Sequence, residues 1–197
     1  LGVVDNDVIL EPSAGEGIFI DEVLEADKLV QIDALDINSD AISILKKKYE
    51  DNSAVVVRET DTLLDEQLDL YSISQLWLKQ TDTLFDKQLD MFSSLGGHYT
   101  KVIGNPPYGA KLSAEDKALF KKKYNDVHMR TPDTYNYFIS LGFRLIHKNS
   151  VLSYIVPNTL LYQNEYENTR KVLSITNTLV RVINIGDNVF EHEEVPT

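Results

Sequence analysis

The sequence predicts an α/β domain built on a doubly wound, mostly parallel sheet, and three observations carry that expectation. Short apolar runs alternate with helical patterns along most of the chain, as they do where crossover helices join parallel strands. The first run, Val8-Ile9-Leu10, leads into a loop with two glycines and then a helix. The second, Gln31 to Asn38, carries an acid, Asp36, near its end. Nucleotide-binding sheets use both placements at their carboxyl edge.

Taken in order, the first strand is followed by Glu11-Pro12-Ser13-Ala14-Gly15-Glu16-Gly17 and a helical pattern of Ile18, Phe19, Val23 and Leu24. Gly15 and Gly17 let the backbone approach a ligand closely, and the helix start offers unpaired amides. The spacing lacks the third glycine of the dinucleotide fingerprint and the Gly-Lys-Ser/Thr of a phosphate loop, so a plain βα turn is an alternative. Asp36 has two readings. It can take both hydroxyls of a ribose, or it can cap the helix that begins near Ser39, where Asp40 is a competing cap. That helix carries Ile42 and Leu45 on its apolar side and Lys46-Lys47-Lys48 near its carboxyl end, where cations suit the dipole.

A third strand, Ala54 to Arg58, ends near Thr60-Asp61, and Asp61 can accept from the amino group of a bound adenosine. The segment Asp61 to Asp69 is then nearly repeated as Asp82 to Asp90. Leu64, Leu68 and Tyr71 share a helical face, as do Phe85, Leu89 and Phe92 in the second copy. The expectation is a helical hairpin over residues 65–100, inserted before the fourth strand. Of the rival acids Asp61 and Asp82, only Asp61 directly follows a strand.

The fourth strand, Lys101 to Gly104, stops at Asn105-Pro106-Pro107-Tyr108-Gly109. Neither proline can donate to a ladder, and Pro106 holds Asn105 extended. The result is a stiff turn presenting an amide, a free carbonyl and an aromatic ring at the carboxyl end of a strand. The Asn105 side-chain oxygen and the Pro106 carbonyl can both accept from an exocyclic amine. Two acceptors draw its nitrogen towards tetrahedral geometry and favour the positive charge that develops as it attacks a methyl donor. Tyr108 can stack on the base.

Beyond Tyr108, Lys111, Lys117, Lys121, Lys122, Lys123 and Arg130 outnumber the acids, marking either phosphate contact or a solvated charged helix. An amphipathic helix is expected from Tyr135 to His147, with Phe138, Leu141, Leu145 and Ile146 as its apolar face. Asn149-Ser150 then turns into a strand, Val151 to Val156, ended by Pro157. A helix from about Asn164 to Leu173, a strand Leu179 to Ile185 and a loop Gly186 to Phe190 complete the pattern.

The 197 residues are 43% hydrophobic and 25% charged, consistent with one globular domain over 1–197. No cysteine is present, which excludes disulfides and thiolate metal sites, and the four histidines show no ligand spacing. No apolar run is long enough to span a membrane, and an intracellular setting is expected. A formal charge of −12 argues against a broad nucleic-acid-binding face.

In order, these residues resemble the amino-methyltransferases that use S-adenosylmethionine, and most closely the N6-adenine DNA methyltransferases of restriction–modification systems. The resemblance rests on Leu10 to Phe19, Leu35-Asp36-Ile37-Asn38, Thr60 to Leu64, Gly104 to Gly109, Tyr135-Asn136-Tyr137-Phe138, Val151 to Asn158 and Ile185 to Phe190. It implies the class I methyltransferase fold. It further implies that Glu11, Pro12, Ser13, Ala14, Gly15 and Gly17 hold the methionine part of S-adenosylmethionine. Asp36 would take the ribose, Ile37 would pack on the adenine, and Asp61 would bind the adenine amino group. Asn105, Pro106 and Pro107 would present the target amine, with Tyr108 and Phe190 stacking on a flipped base.

DNA is the implied partner, met mainly through a recognition domain outside these residues, with Lys111, Lys121, Lys122, Lys123 and Arg130 as local contacts. A restriction or specificity subunit is a further implied partner. The fold is expected to be cut at both ends. Related Asn-Pro-Pro-Tyr enzymes modify RNA or protein glutamine, and a non-catalytic binding module is the reading from another class.

Overall fold

The computed structural model describes residues 2–69 and 98–186. Most of the expected inserted hairpin, including Asp82, and the loop residue Phe190 lie outside the described residues.

Five strands, β1 (Val8–Glu11), β2 (Gln31–Asp36), β3 (Val55–Glu59), β4 (Tyr99–Gly104) and β5 (Ile146–Tyr154), form one sheet in the order β3-β2-β1-β4-β5. Every pairing is parallel. The direction of winding reverses between β1 and β4, so the crevice lies where Glu11 and Gly104 end neighbouring strands.

Successive residues of β1 feed opposite cores, as the two-residue period of a strand requires. Ile9 joins Ile32 and Ala34 beneath α1 (Ile18–Leu24) and α2 (Ser39–Lys48), through Ile20, Val23, Ile42 and Leu45. Leu10 joins Leu35 and Val102 on the other face, beneath α3 (Ala114–Lys123) and α4 (Thr134–Leu145), through Phe120, Tyr137, Leu141 and Leu145. Helices on both faces make the sheet doubly wound, as the sequence predicts.

Below the crevice, Lys101 on β4 pairs with Asp7 just before β1 at 2.6 Å, with side chains only 8% and 4% exposed. Burial alone would raise the Asp7 carboxyl. Hydrogen bonds from Lys101, Thr100 and the Val4 amide, with the Lys101 charge, outweigh it and hold Asp7 below the ordinary carboxylate range.

Six expectations need correction. The cap of α2 is neither Asp36 nor Asp40 but Asn38, whose side chain accepts from the Asp40 amide at 2.9 Å. Leu64 lies in a turn, and the helix after β3 begins only at Glu66, so Leu64 and Leu68 do not share its face; Leu68 is buried and Leu64 exposed. The helix after Asp133 stops at Leu145, and Ile146 already pairs with Tyr99 in the sheet. Between Tyr99 and Lys101 the partner strand advances from Ile146 to Val151, a bulge with Asn149 at φ 69°, so the expected turn is a kink inside β5.

The same helix is buried well beyond the one apolar face expected. Thr134 to Gly142 are all buried, because Leu160 and Tyr166 pack with Tyr135 and Ile139 on the side away from the sheet. Last, no strand forms over Leu179 to Ile185: these residues are irregular and exposed. Their alternating β-branched pattern has no ladder partner among the described residues, and strand propensity without one does not hold a strand. The helix expected near Asn164 to Leu173 is present as a 3-10 turn (Asn164–Tyr166), α5 (Glu167–Lys171) and one wider turn (Val172–Thr176). Among the described residues, no helix is long and apolar enough to cross a membrane.

Candidate functional site

Four strand ends converge on the crevice. The loop after β1 folds over so that the Gly15 amide donates to one Asp36 oxygen at 2.8 Å, while the other accepts the Asn38 amide at 2.8 Å. Asp36 is therefore fixed by backbone and free of capping duty. Its lone pairs can still receive hydroxyl donors. Ile37, directly after it, is 68% exposed at the edge of the crevice, as a residue that packs on a ligand ring would be. Thr62 ties the segment after β3 to the same loop by donating to the Pro12 carbonyl at 2.6 Å, and Asp61 accepts from the Leu63 amide at 3.0 Å.

Gly15 and Gly17 both have left-handed backbones, at φ 53° and 81°. A Cβ on Gly17 would lie 2.6 Å from Tyr49 Oη and 2.8 Å from Leu45 Cδ2, so the position admits only glycine. A Cβ on Gly15 would meet nothing within 4 Å, leaving a cradle open in front of the loop. Tyr49 holds the loop from beneath, its one hydroxyl proton shared between the Gly17 carbonyl at 3.0 Å and Asp21 at 2.8 Å. Lys48 grips the Glu16 carbonyl and Asp21.

Glu11 ends β1 under this cradle, only 1% exposed, and its Oε2 has no hydrogen-bond partner among the described residues. Burial, with the neighbouring Asp36 and Asp21 carboxylates, pushes its carboxyl up to about 8, and Lys48 offsets only part of this.

The second half of the crevice is the turn after β4. Ser13 donates to the Asn105 carbonyl at 3.2 Å, joining the two loops directly. The Asn105 Oδ1 is buried and has no hydrogen-bond partner among the described residues, an acceptor open to a donor from the crevice. On its far side the turn is held by the start of α4. Thr134 Oγ1 donates to the Pro107 carbonyl, and the Gly109 amide donates to Asp133 Oδ1 at 3.0 Å. Asp133 stands at the N-cap of α4 but makes no capping hydrogen bond, because its carboxylate is spent on the turn. Pro106 is buried, and Tyr108 packs half-buried against the cluster of Tyr135 and Leu160.

A family model matches residues 28–190, and its description is Eco57I restriction-modification methylase. The chain belongs to that family. Within it, the doubly wound parallel sheet is a class I, Rossmann-like methyltransferase fold. Modification methylase CviBIII of Paramecium bursaria Chlorella virus NC1A is 25% identical over 169 residues, covering 84% of this chain and 34% of the relative. A Methanocaldococcus jannaschii protein provisionally named a type II restriction enzyme and methyltransferase is 32% identical over 91 residues, 45% of this chain and 7% of that one. The chain thus spans about a third or less of the curated relatives it matches. Among solved structures, a SAM-dependent methyltransferase from Agrobacterium tumefaciens aligns with TM-score 0.46 and 10% identity, over 86% of this chain and 46% of that one.

The crevice therefore gathers Glu11 to Gly17, Asp36, Ile37, Asp61 and Asn105 to Tyr108, while Phe190 lies outside the described residues. Sequence reasoning missed Thr62, Tyr49 and Lys48, which hold the first loop, and Asp133 and Thr134, which hold the second. Pro132-Asp133-Thr134 before a helix was a legible cap signal, but nothing in it told that the carboxylate would serve another loop. Of the basic residues, Lys123 is committed to Asp69 and the Leu63 carbonyl. It is withdrawn from the phosphate-contact set, whereas Lys111, Lys121, Lys122 and Arg130 are exposed.

Proposed function

We propose that this chain is the catalytic core of an enzyme that transfers a methyl group from S-adenosylmethionine to the N6 amine of adenine in DNA. The observation that carries the proposal is the buried Asn105 Oδ1, unpartnered among the described residues, at the switch point of the sheet. An acceptor left without a donor in the folded protein is costly, and a planar amine brought into the crevice satisfies it.

The residues present fit the cofactor. Gly15 leaves the cradle open, Asp36 is oriented to receive a ribose diol, and Asp61 stands one strand further for the adenine amine. When bound, S-adenosylmethionine supplies an electrophilic methyl group on a sulfonium. The chain's own work lies on the amine. Asn105 Oδ1 and the Pro106 carbonyl accept its two protons in hydrogen bonds, redirecting the lone pair and stabilising the charge that develops on nitrogen. Tyr108 offers its ring to the base, and a second ring from Phe190 would complete a stack that offsets the cost of flipping. Thr134, Asp133 and Ser13 keep the turn from moving.

The test is transfer of labelled methyl from S-adenosylmethionine to mixed-sequence duplex DNA by the full-length polypeptide, followed by nucleoside analysis. N6-methyldeoxyadenosine is the expected product. Asn105→Ala is expected to lower turnover by about 10²–10³, as removal of one transition-state hydrogen-bonding group does. Label in RNA or in a protein amide instead would keep the nitrogen chemistry and replace the substrate. An Asn105→Ala enzyme with undiminished rate would refute the mechanism.

A further inference from the structure

We propose that Glu11 rests in the crevice as a neutral acid and ionises when a cationic group of the cofactor enters, so that cofactor binding expels one proton to solvent. The inference rests on the reading of the crevice as a S-adenosylmethionine site and adds to it a charge state that changes on binding.

The geometry points there in three steps. Glu11 is the deepest carboxylate of the crevice, 1% exposed, with Oε2 lacking a partner among the described residues. An ionised carboxylate in that position would need donors or a counter-charge. Among the described residues, the charged and titratable groups that act on it are Asp36 from β2, Asp21 from α1, Lys48 from α2 and Tyr49 just after α2. Asp36 is satisfied by two backbone amides, and Asp21 is satisfied by Lys48 and Tyr49. The one cation among these described groups, Lys48, is therefore already engaged, and Glu11 is the carboxylate left over.

The second step is energetic. With burial and two like charges pushing its carboxyl up to about 8, Glu11 carries its proton in most molecules at neutral pH. The third step is the ligand's. S-adenosylmethionine brings an ammonium and a sulfonium, and either one placed beside Oε2 favours the carboxylate and releases the proton. Below that pKa, affinity then rises roughly tenfold per pH unit, and it flattens above pH 8.

The experiment is calorimetric titration of the full-length protein with S-adenosylmethionine at pH 7, in buffers of different ionisation enthalpy. It is repeated with S-adenosylhomocysteine, which keeps the ammonium and lacks the sulfonium, and with Glu11→Gln. The expected result is release of close to one more proton by the wild type than by Glu11→Gln. The excess should shrink towards zero at pH 9. Excess release with both ligands supports the inference and assigns the ammonium as the cation; release with S-adenosylmethionine alone supports it and assigns the sulfonium.

Tight binding with equal proton release by wild type and variant would overturn the inference and leave the cofactor site standing. Absence of binding by the wild type would overturn both. Thermal unfolding without ligand gives an independent check, since a neutral buried acid destabilises the fold once it must ionise. The wild type is expected to lose stability from pH 6 to pH 9 relative to Glu11→Gln, and parallel profiles would also overturn the inference.

Discussion

Replacing Gly17 by alanine tests whether the first loop is shaped by its backbone or merely by sequence habit. Gly17 sits at φ 81°, where an L side chain costs about 1–2 kcal/mol. The added methyl would also come within 2.6 Å of Tyr49 Oη and 2.8 Å of Leu45 Cδ2. Neither neighbour yields easily. Tyr49 is hydrogen-bonded to Gly17's own carbonyl and to Asp21, and Leu45 is fully buried. Overpacking of that kind adds about 1–3 kcal/mol, for a combined loss of about 2–5 kcal/mol.

In a chain of this length the expected fall in Tm is on the order of 10 °C. Gly15→Ala is the matched control, because its φ of 53° carries the same backbone cost but its Cβ meets nothing within 4 Å. It should cost only about 1–2 kcal/mol. Its methyl would occupy the open cradle, however, so S-adenosylmethionine binding should fall at least as far as in Gly17→Ala. Thermal unfolding followed by circular dichroism, with calorimetric binding, reads both quantities. Equal stability of the two variants would refute the packing argument.

Asp7→Ala strands the buried Lys101 and is expected to cost about 3–5 kcal/mol in denaturant unfolding. Adding Lys101→Met should recover most of that loss, and a double variant no better than the single would argue against an ion-pair role. Acid should also weaken the fold. Asp7 and Asp65 have folded-state pKa values held below 3.8, so their contribution is present above about pH 4 and lost as pH falls through those lowered values. The slope of stability between pH 5 and 2 should flatten in Asp7→Asn and in Asp65→Asn; an unchanged slope would contradict it. Thr134→Val removes the donor that holds the Pro107 carbonyl and should lower turnover by about tenfold to a hundredfold, leaving cofactor affinity unchanged. Loss of cofactor binding in step with turnover would place Thr134's effect in the wrong loop.

What was legible in the sequence was whatever depended on short range. Val8 to Gly17, Asp36 after its strand and Asn105 to Tyr108 announce their conformations through glycine, proline and apolar runs, and the structure places all of them at one crevice. What was hidden depended on a distant partner. Leu179 to Ile185 alternates like a strand, yet a strand exists only where a neighbour offers a ladder. The helix from Thr134 reads as one-sided until Leu160 and Tyr166 cover its other face. Asp133 reads as a cap until the Gly109 amide claims its carboxylate. Asn38 holds the cap of α2 because it stands directly before Ser39, while Asp36 is engaged by Gly15, a contact across 21 residues that no local pattern encodes.

The bond between Ser13 and Asn105 closes a separation of 92 residues, and the β1–β4 ladder beneath it is of the same order. Such long-range pairing is slow to form, because the entropy of a large loop is lost before any contact is gained. The crevice is thus expected to be among the last features to assemble, after β1, β2 and β3 have joined through shorter connections. Loop-closure entropy also grows only logarithmically, by about 0.6 kcal/mol per doubling of length. Chain added between β3 and β4 therefore adds little to the thermodynamic cost of forming the site, and this is where the near-repeat of Asp61 to Asp69 has been accommodated.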